Sequence, residues 1–187
     1  MKKNIFIYAT ILLCFSLINV SLAESALISE LRTSKPYHAI VMKGDAELIL
    51  VPSDKFEITL EGTEAQIMNM VTLLKDDTLF ITQTNNKDKK NQRTRLIVGI
   101  DELVALHVKG KTDVSANGYI NTNILTIRAE EGAVVNLDVR ALKVKAKSLG
   151  SSSINISGSP EIIWIGESIC SKTEAIERNL KLSCFLS

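Results

Sequence analysis

A short run of aliphatic and β-branched residues followed by a small or polar turn recurs four times in the second half of the chain. The steps between the first residues of these runs are 19, 17 and 21, and the runs begin at Leu106, Leu125, Leu142 and Ile163. A repeat of this length is typical of solenoids, because so small a unit buries its apolar face only by stacking on the next unit. We therefore expect an all-β, solenoid-like domain in which these four residues share one interior column.

The turns between the runs support the same architecture. Residues 109–113, 129–133 and 147–153 are rich in small or polar side chains and contain Gly110, Gly132 and Gly150. Glycine adopts corner conformations that bulkier residues resist. Each unit is thus predicted to turn at one of these glycines.

The first half of the chain alternates polar and apolar residues, which predicts strands with one buried face. Turn residues Gly44-Asp45 and Pro52-Ser53-Asp54 separate the first three predicted strands, and Asp76-Asp77 separates two more as a hairpin turn. We expect antiparallel hairpins here, with strands at 37–43, 46–51, 56–61, 72–75 and 78–84. Thr63 is placed to cap a short helix that reaches about Val71.

The N-terminus is predicted to direct export. Residues 1–23 combine Lys2 and Lys3, an apolar run and the small-residue site Ser21-Leu22-Ala23, so we expect cleavage after Ala23. The alternative is a retained anchor, although the run is shorter than the ~20 apolar residues of a membrane span. Residues 24–36 form a polar lead-in with a helical hint at Leu27, Ile28 and Leu31, and residues 37–187 form a single domain.

The charge of the predicted exported chain is close to zero. Removing Lys2 and Lys3 from 22 basic residues leaves 20 against 21 acidic ones, a net charge of −1. This balance argues against nucleic acid as a partner, because such binding needs many phosphate-neutralising side chains. No run after Ala23 is long and apolar enough to cross a bilayer.

Two cysteines remain after the predicted cleavage. Cys170 and Cys184 are candidates for one disulfide in an oxidising compartment. The alternative is two independent buried thiols. Neither cysteine has the Cys/His spacing of a zinc site.

One basic segment offers a candidate binding surface. It lies between predicted strands at 79–81 and 96–98 and contains Lys87, Lys89, Lys90, Arg93 and Arg95. Such a segment could meet anionic glycans or lipid headgroups. The alternative is a solvated loop that keeps two strand ends soluble.

The sequence contains no defined catalytic motif and predicts no cofactor. His38 and His107 alternate with apolar strand residues, which places both on the outer surface. Asp101 and Glu102 face opposite ways as strand neighbours and do not form an acid/base pair. A polysaccharide-active solenoid enzyme would have to combine other residues on neighbouring units, namely Asp113, Glu131, Lys111 and Arg128.

The ordered motifs resemble a known family. Gly44-Asp45-Ala46-Glu47-Leu48 is followed by an Asp-Thr-Leu-x-Ile strand from Asp77 to Ile81 and then by Gly/Ser turns at intervals of about nineteen residues. Together with the export signal, this order is similar to the bacterial auto-transporter adhesin head GIN domain family. The resemblance implies a right-handed parallel β-solenoid in an exported protein, an adhesion role and no catalytic residues.

These observations predict an exported, non-catalytic, adhesin-like domain that presents an extended β surface at the bacterial cell envelope. The expected partner is a protein or glycan met in the periplasm or at the cell surface. The first alternative is a periplasmic structural or sensory module that docks onto a partner protein by strand addition. The second is the polysaccharide-active enzyme.

Overall fold

The computed structural model describes residues 26–84 and 93–158 together with the backbone of three later strands at 162–165, 172–176 and 179–183. Across these residues the fold is all-β, with one short helix. The strands are β1 Leu27–Thr33, β2 Ala39–Lys43, β3 Ala46–Pro52, β4 Glu57–Thr63, β5 Met70–Lys75, β6 Thr78–Gln83, β7 Thr94–Ile100, β8 Ala105–Lys109, β9 Asp113–Ala116, β10 Ile120–Glu130, β11 Val134–Leu149, β12 Ser153–Gly158, β13 Ile162–Ile165, β14 Lys172–Ile176 and β15 Asn179–Ser183. The helix α1 spans Glu64–Met68.

All of these strands belong to one mixed, curled sheet with two halves. Half A contains, in spatial order, β5, β6, β2, β8, the second part of β10, the second part of β11 and β13. Half B contains β1, β4, β7, β3, β9, the first part of β11 and β12, with β15 and β14 beyond. The 16-residue strand β11 runs through both halves and joins them.

The core lies inside the curl, where inward side chains of both halves form one cluster. In parallel pairing, equivalent residues of neighbouring strands lie side by side about 4.8 Å apart, so the inward residues form rows across the sheet. One row in half A is buried throughout and consists of Leu79, Ile40, Leu106, Ile127 and Ala146. Burying each large aliphatic side chain stabilises the fold by ~1.5–3 kcal/mol.

A second inward row carries small side chains at its C-terminal end. Its members are Ile81, Met42, Val108, Ala129 and Ser148, and the last two are the smallest. At that end the Ser148 hydroxyl lies 2.8 Å from the carbonyl oxygen of Ser152. The hydroxyl of Ser152 in turn donates to the Ala129 carbonyl at 2.9 Å. Two buried serines thus satisfy the backbone where the chain turns after β11.

The predicted interior column is wrong in register and in one member. Leu106 lies opposite Ile127 instead of Leu125, and Leu125 lies opposite Val144. Leu142 points outward and is 52% exposed. The reason is a change of phase in β11: Ala141 and Val144 are both buried, so the residues between them form a bend at which an apolar side chain faces solvent.

The predicted turn at Gly44-Asp45 is a corner between the two halves. The strands that flank it, β2 and β3, do not pair with each other. Instead β2 pairs with β6 and β8, while β3 pairs with β7 and β9, and all four pairings are parallel. Local turn chemistry is the same for a corner and a hairpin, so the sequence does not distinguish them. By contrast, β5 and β6 pair antiparallel across Asp76-Asp77, whose φ angles are 48° and 58°.

The helical segment predicted within residues 24–36 is also wrong, because residues 27–33 form the edge strand β1. It pairs antiparallel with β4. Arg32 on β1 donates from Nη1 to the Met70 carbonyl oxygen at 2.7 Å and so ties β1 to the other edge strand, β5. The periodicity of a short segment gives no information on such a long-range hydrogen bond.

The short helix is confirmed, with an earlier end than expected. Thr63 is its N-cap and forms a capping box with Gln66, whose side chain accepts from the Thr63 backbone N–H at 2.8 Å. The helix stops at Met68 because β5 begins at Met70 and places Val71 in the sheet.

Two corner glycines differ in the space around them. Gly110 has φ +99°, and a Cβ added there would lie 2.4 Å from the Gly44 carbonyl oxygen of the neighbouring corner. Gly132 has a similar φ of +91°, but the nearest atom to an added Cβ is 3.6 Å away. Gly110 therefore allows both a backbone conformation and a close approach between corners, whereas Gly132 allows only the conformation.

The register of β10 and β11 predicts opposite outcomes for two leucines. Leu125→Ala removes a fully buried side chain and is expected to cost about 2–5 kcal/mol of unfolding free energy. Leu142→Ala, at an exposed bend, is expected to change it by less than about 0.5 kcal/mol. Urea denaturation of the two variants measures both values, and a large loss for Leu142→Ala would refute the register.

The corner glycines form a second matched pair. Gly132→Ala is expected to cost about 1–2 kcal/mol from backbone strain alone. Gly110→Ala should cost clearly more, because the Gly44 carbonyl must also move. Denaturation midpoints of the two variants compare these costs, and equal losses would show that the corners are not in close contact.

Candidate binding surface

Three lysines lie in a line on the outer face of half A. Lys143, Lys145 and Lys147 occupy alternate positions of β11, and their inward neighbours Val144 and Ala146 are buried. Alternate residues of a strand point to the same face and are spaced by about 6.6–6.8 Å. We call these three residues the lysine strip. All three residues are half-buried.

The lysine strip is not compensated by acidic side chains within the described part of the chain, which shows no ion pair to any of the three lysines. Two other bases on the same face have acidic partners, whereas Lys43 shows no ion pair among the described residues. Arg128 pairs with Glu130, and Lys109 Nζ lies 2.9 Å from Glu131 Oε1. The strip is therefore a local excess of positive charge in a chain whose total charge nearly cancels.

Glu130 is the acidic centre of the neighbouring group. Its Oε1 contacts Arg128 Nε and lies 3.3 Å from His107 Nε2. Desolvation acts to raise the pKa of Glu130, but the hydrogen bond and positive charge of Arg128, assisted by His107, outweigh it and lower that pKa. Similarly, the hydrogen bond and charge of Glu131 raise the pKa of Lys109.

Two cross-strand pairs on this face join like charges. Lys43 of β2 lies directly opposite Lys109 of β8. Arg128 of β10 lies directly opposite Lys147 of β11, and Thr126 lies opposite Lys145. Like charges in directly opposite positions destabilise a sheet. The pairing of Arg128 with Glu130 reduces this cost but leaves Lys147 without a partner among the described residues.

On the outer face of half B, by contrast, basic side chains are paired with carboxylates of neighbouring strands. Arg95 Nε lies 2.9 Å from Glu47 Oε2, and its Nη1 lies 3.5 Å from Glu61 Oε2. Those three residues come from the adjacent strands β3, β7 and β4 and form one row across the sheet. The charge of Arg95 is thus shared between two carboxylates.

Arg93 also pairs with two carboxylates. Its Nε lies 2.9 Å from Asp45 Oδ1, and its Nη1 contacts Asp113. Arg93 and Arg95, two members of the predicted basic surface, are thus held by acidic side chains of the same molecule. The other three members, Lys87, Lys89 and Lys90, lie outside the described residues, and anion binding by this segment stays a prediction.

The residues considered for a polysaccharide-active site are engaged separately. Asp113 pairs with Arg93, Glu131 with Lys109, and Arg128 with Glu130. Over residues 26–84 and 93–158, with the later strands, no group of three or more His, Cys, Asp or Glu side chains is arranged to hold a metal ion. Within the same residues, no helix has the length and apolar character needed to traverse a lipid bilayer.

The remaining sequence candidates divide into two groups. His38 and His107 both lie on the outer surface as predicted, with His38 Nδ1 3.8 Å from Asp77 Oδ2. Cys170 and Cys184 lie outside the described residues, so their pairing stays a prediction.

Comparison with known proteins identifies the family. The family model described as "Putative auto-transporter adhesin, head GIN domain" matches residues 36–181. The chain belongs to this family. No functionally curated protein matches this head GIN domain in sequence.

Solved structures share the fold of this head GIN domain at low sequence identity. A putative adhesin from Bacteroides fragilis is 17% identical over 78% of this chain and 94% of that one, with a TM-score of 0.55. A putative adhesin from Parabacteroides merdae is 19% identical over 78% and 58% of the two chains, with a TM-score of 0.51. A putative lipid binding protein from Parabacteroides distasonis is 18% identical over 78% and 62%, also with a TM-score of 0.51. The head GIN domain thus spans less than two thirds of these last two proteins.

The lysine strip was missed in the sequence, although its signal is present there. Lys143-Val144-Lys145-Ala146-Lys147 alternates basic and apolar residues, the pattern of a strand with one cationic face. The basic segment at 85–95 is easier to recognise in a sequence, because its charges are clustered there. Spatial alignment matters more for binding, and in a strand it comes from alternation.

The Glu130 contacts of the head GIN domain predict a pH effect. A depressed carboxyl pKa stabilises the fold above the unfolded-state pKa, and this stabilisation is lost as the pH falls through the folded-state pKa. Arg128→Gln should raise the pKa of Glu130 and reduce the loss of stability on acidification. NMR titration of the Glu130 carboxyl and urea midpoints over an acid pH series measure the two effects.

Arg140→Gln is the matched control, because Arg140 stacks over the Tyr119 ring at 3.9 Å. The Glu130 pKa should not change in that variant. An unchanged Glu130 pKa in Arg128→Gln would contradict the assigned cause.

Proposed function

We propose that this chain is an exported, non-catalytic binding domain of the adhesin type, which presents the outer face of half A to a glycan or protein at the bacterial cell envelope. The observation that carries the proposal is the lysine strip, a line of three lysines on one sheet face that show no ion pair to any described residue. Membership of an adhesin head family supports the same role.

The proposed architecture behind this surface is a right-handed parallel β-helix in which residues 37–187 form one domain. Parallel pairing of β8, β10, β11 and β13 supports such winding. A stacked sheet holds its outward side chains at fixed spacing. Rigid spacing reduces the ordering cost of binding and favours repeated weak contacts with a polymer or a surface.

The absence of catalysis is part of the proposal. Asp113 and Glu131, the carboxylates considered for an acid/base role, are each paired with a different base. An enzyme would need groups that converge on one reacting atom. The paired carboxylates instead support a structural role for these charges.

Strand addition is the second candidate, and a specific observation favours it. β5 is an end strand of the sheet, and its Val71 and Leu73 are 47% and 58% exposed. Exposed apolar residues on an edge strand are suited to pairing with an extended segment of another protein. The antiparallel hairpin of β5 and β6 would then receive the partner strand.

Binding to envelope material tests the proposed function. We expect the immobilised protein to retain material from a bacterial envelope fraction and to release it as salt is raised, because the proposed contacts are electrostatic. Val71→Lys with Leu73→Lys should retain binding, since these substitutions block only strand addition. If the wild type retains no envelope material, or if the double variant loses the binding that the wild type shows, the proposed surface is rejected. Depletion of an added polysaccharide would reject the absence of catalysis.

Export has its own readout in the same preparation. Protein secreted from its complete coding sequence should begin at Glu24, as measured by mass spectrometry. Retention of residues 1–23 would contradict cleavage.

The mass of the secreted protein without reductant should correspond to one Cys170–Cys184 disulfide. Two free thiols would contradict that pairing.

A further inference from the structure

We propose that the lysine strip binds a linear acidic polysaccharide, one that carries carboxylate or sulfate groups at regular intervals. This inference rests on the proposed function and narrows its ligand to one chemical class. It concerns Lys143, Lys145 and Lys147, a surface separate from the basic segment at 85–95.

The length of the strip favours a polymer over a small anion. Residues 143 and 147 are four positions apart on one strand, which corresponds to about 13 Å. A single carboxylate or phosphate group reaches one or two of the ammonium groups at once. A chain with regularly spaced anions contacts all three while its backbone lies along β11.

The neighbouring strand supplies groups that suit a sugar chain. Thr126, exposed beside Lys145, offers a hydroxyl that can both donate and accept hydrogen bonds. Arg128 beside Lys147 adds a further donor at one end of the strip. Glu130 and Glu131 lie beyond Arg128 and set an acidic boundary there, so the favourable path for a polyanion follows β11.

The energetics of the sheet point the same way. The three lysines repel one another, and Lys147 also faces Arg128 across the strands. On half B, Arg93 and Arg95 each pair with two carboxylates. Among the described residues the lysine strip has no such partners, so its mutual repulsion lowers the stability of the sheet. An anionic ligand would supply the missing partners.

The position of the lysines favours a polymer over an anionic membrane. The three side chains are half-buried, whereas the apolar Ile124 and Leu142, which lie next to Lys143, are 49% and 52% exposed. A bilayer would engage these two residues first, because membrane-surface binding combines apolar insertion with basic side chains. A polysaccharide does not require them. They therefore provide the variant that separates the two partners.

The experiment measures binding of the protein, expressed from its complete sequence, to fluorescent alginate and to dextran sulfate, with neutral dextran as the control polymer. Lys143→Ser, Lys145→Ser and Lys147→Ser together should weaken binding by about fivefold per lysine, or about a hundredfold in all. The slope of log affinity against log salt should also fall by roughly three contacts. Conversion of the same three residues to Arg should preserve binding.

The matched control removes three exposed lysines elsewhere, Lys35, Lys55 and Lys75, and so changes the net charge equally. Its polymer affinity should stay within about twofold of the wild type, since distant exposed charges are screened. Unfolding curves of both triple variants should match the wild type.

Four results would overturn the inference. These are no binding of either acidic polymer by the wild type, an equal loss in the control triple, unchanged binding in the strip triple, and preferential binding to phosphatidylglycerol vesicles that Ile124→Ser with Leu142→Ser abolishes. If the wild type retains envelope material but binds neither acidic polymer, the proposed function stands and only the polysaccharide inference fails.

Discussion

The hydrogen-bond ladder through β11 is the constraint on which the rest of the structure depends. Its first part pairs with β9 and β12, and its second part pairs with β10 and β13. Because one continuous strand serves both halves, the sheet must bend where β11 bends, between the buried residues Ala141 and Val144. That bend turns the two inward faces toward each other and allows a single core. It also fixes which β11 side chains point outward, and hence where the lysine strip lies.

On both outer faces, the register between adjacent strands decides which charged side chains lie side by side. On half B, charged residues of adjacent strands lie side by side with alternating sign, as in the row formed by Glu61, Arg95 and Glu47. Parallel register on half A instead places Arg128 beside Lys147. Stacking converts a sequence offset of nineteen residues into a contact between neighbours. The sign of a single residue in one unit thus decides whether a row is neutral or cationic.

The size of the interior side chains and the geometry of the corners explain why the units differ although they repeat. In one interior row Met42 and Val108 are followed by the smaller Ala129 and Ser148, and the corner after β11 is completed by hydrogen bonds of Ser148 and Ser152. The serine-rich corner therefore satisfies buried backbone groups beside the small interior residues. Gly110 has a different reason, since the adjacent corner carbonyl of Gly44 occupies the space that a side chain would need.

The sequence by itself determined the all-β class, the family, the capped helix at Thr63 and the corners at Gly110, Gly132 and Gly150, because these depend on local propensity, spacing and backbone freedom. Tertiary structure decided the partner of each strand. It placed Leu125 inside and Leu142 outside, made an edge strand of residues 27–33, and turned Gly44-Asp45 into a corner. It also matched Arg93 and Arg95 with carboxylates up to 48 residues away and gave the lysines of β11 no acidic partner among the described residues. Such pairings depend on register between distant segments, which periodicity within one segment does not encode.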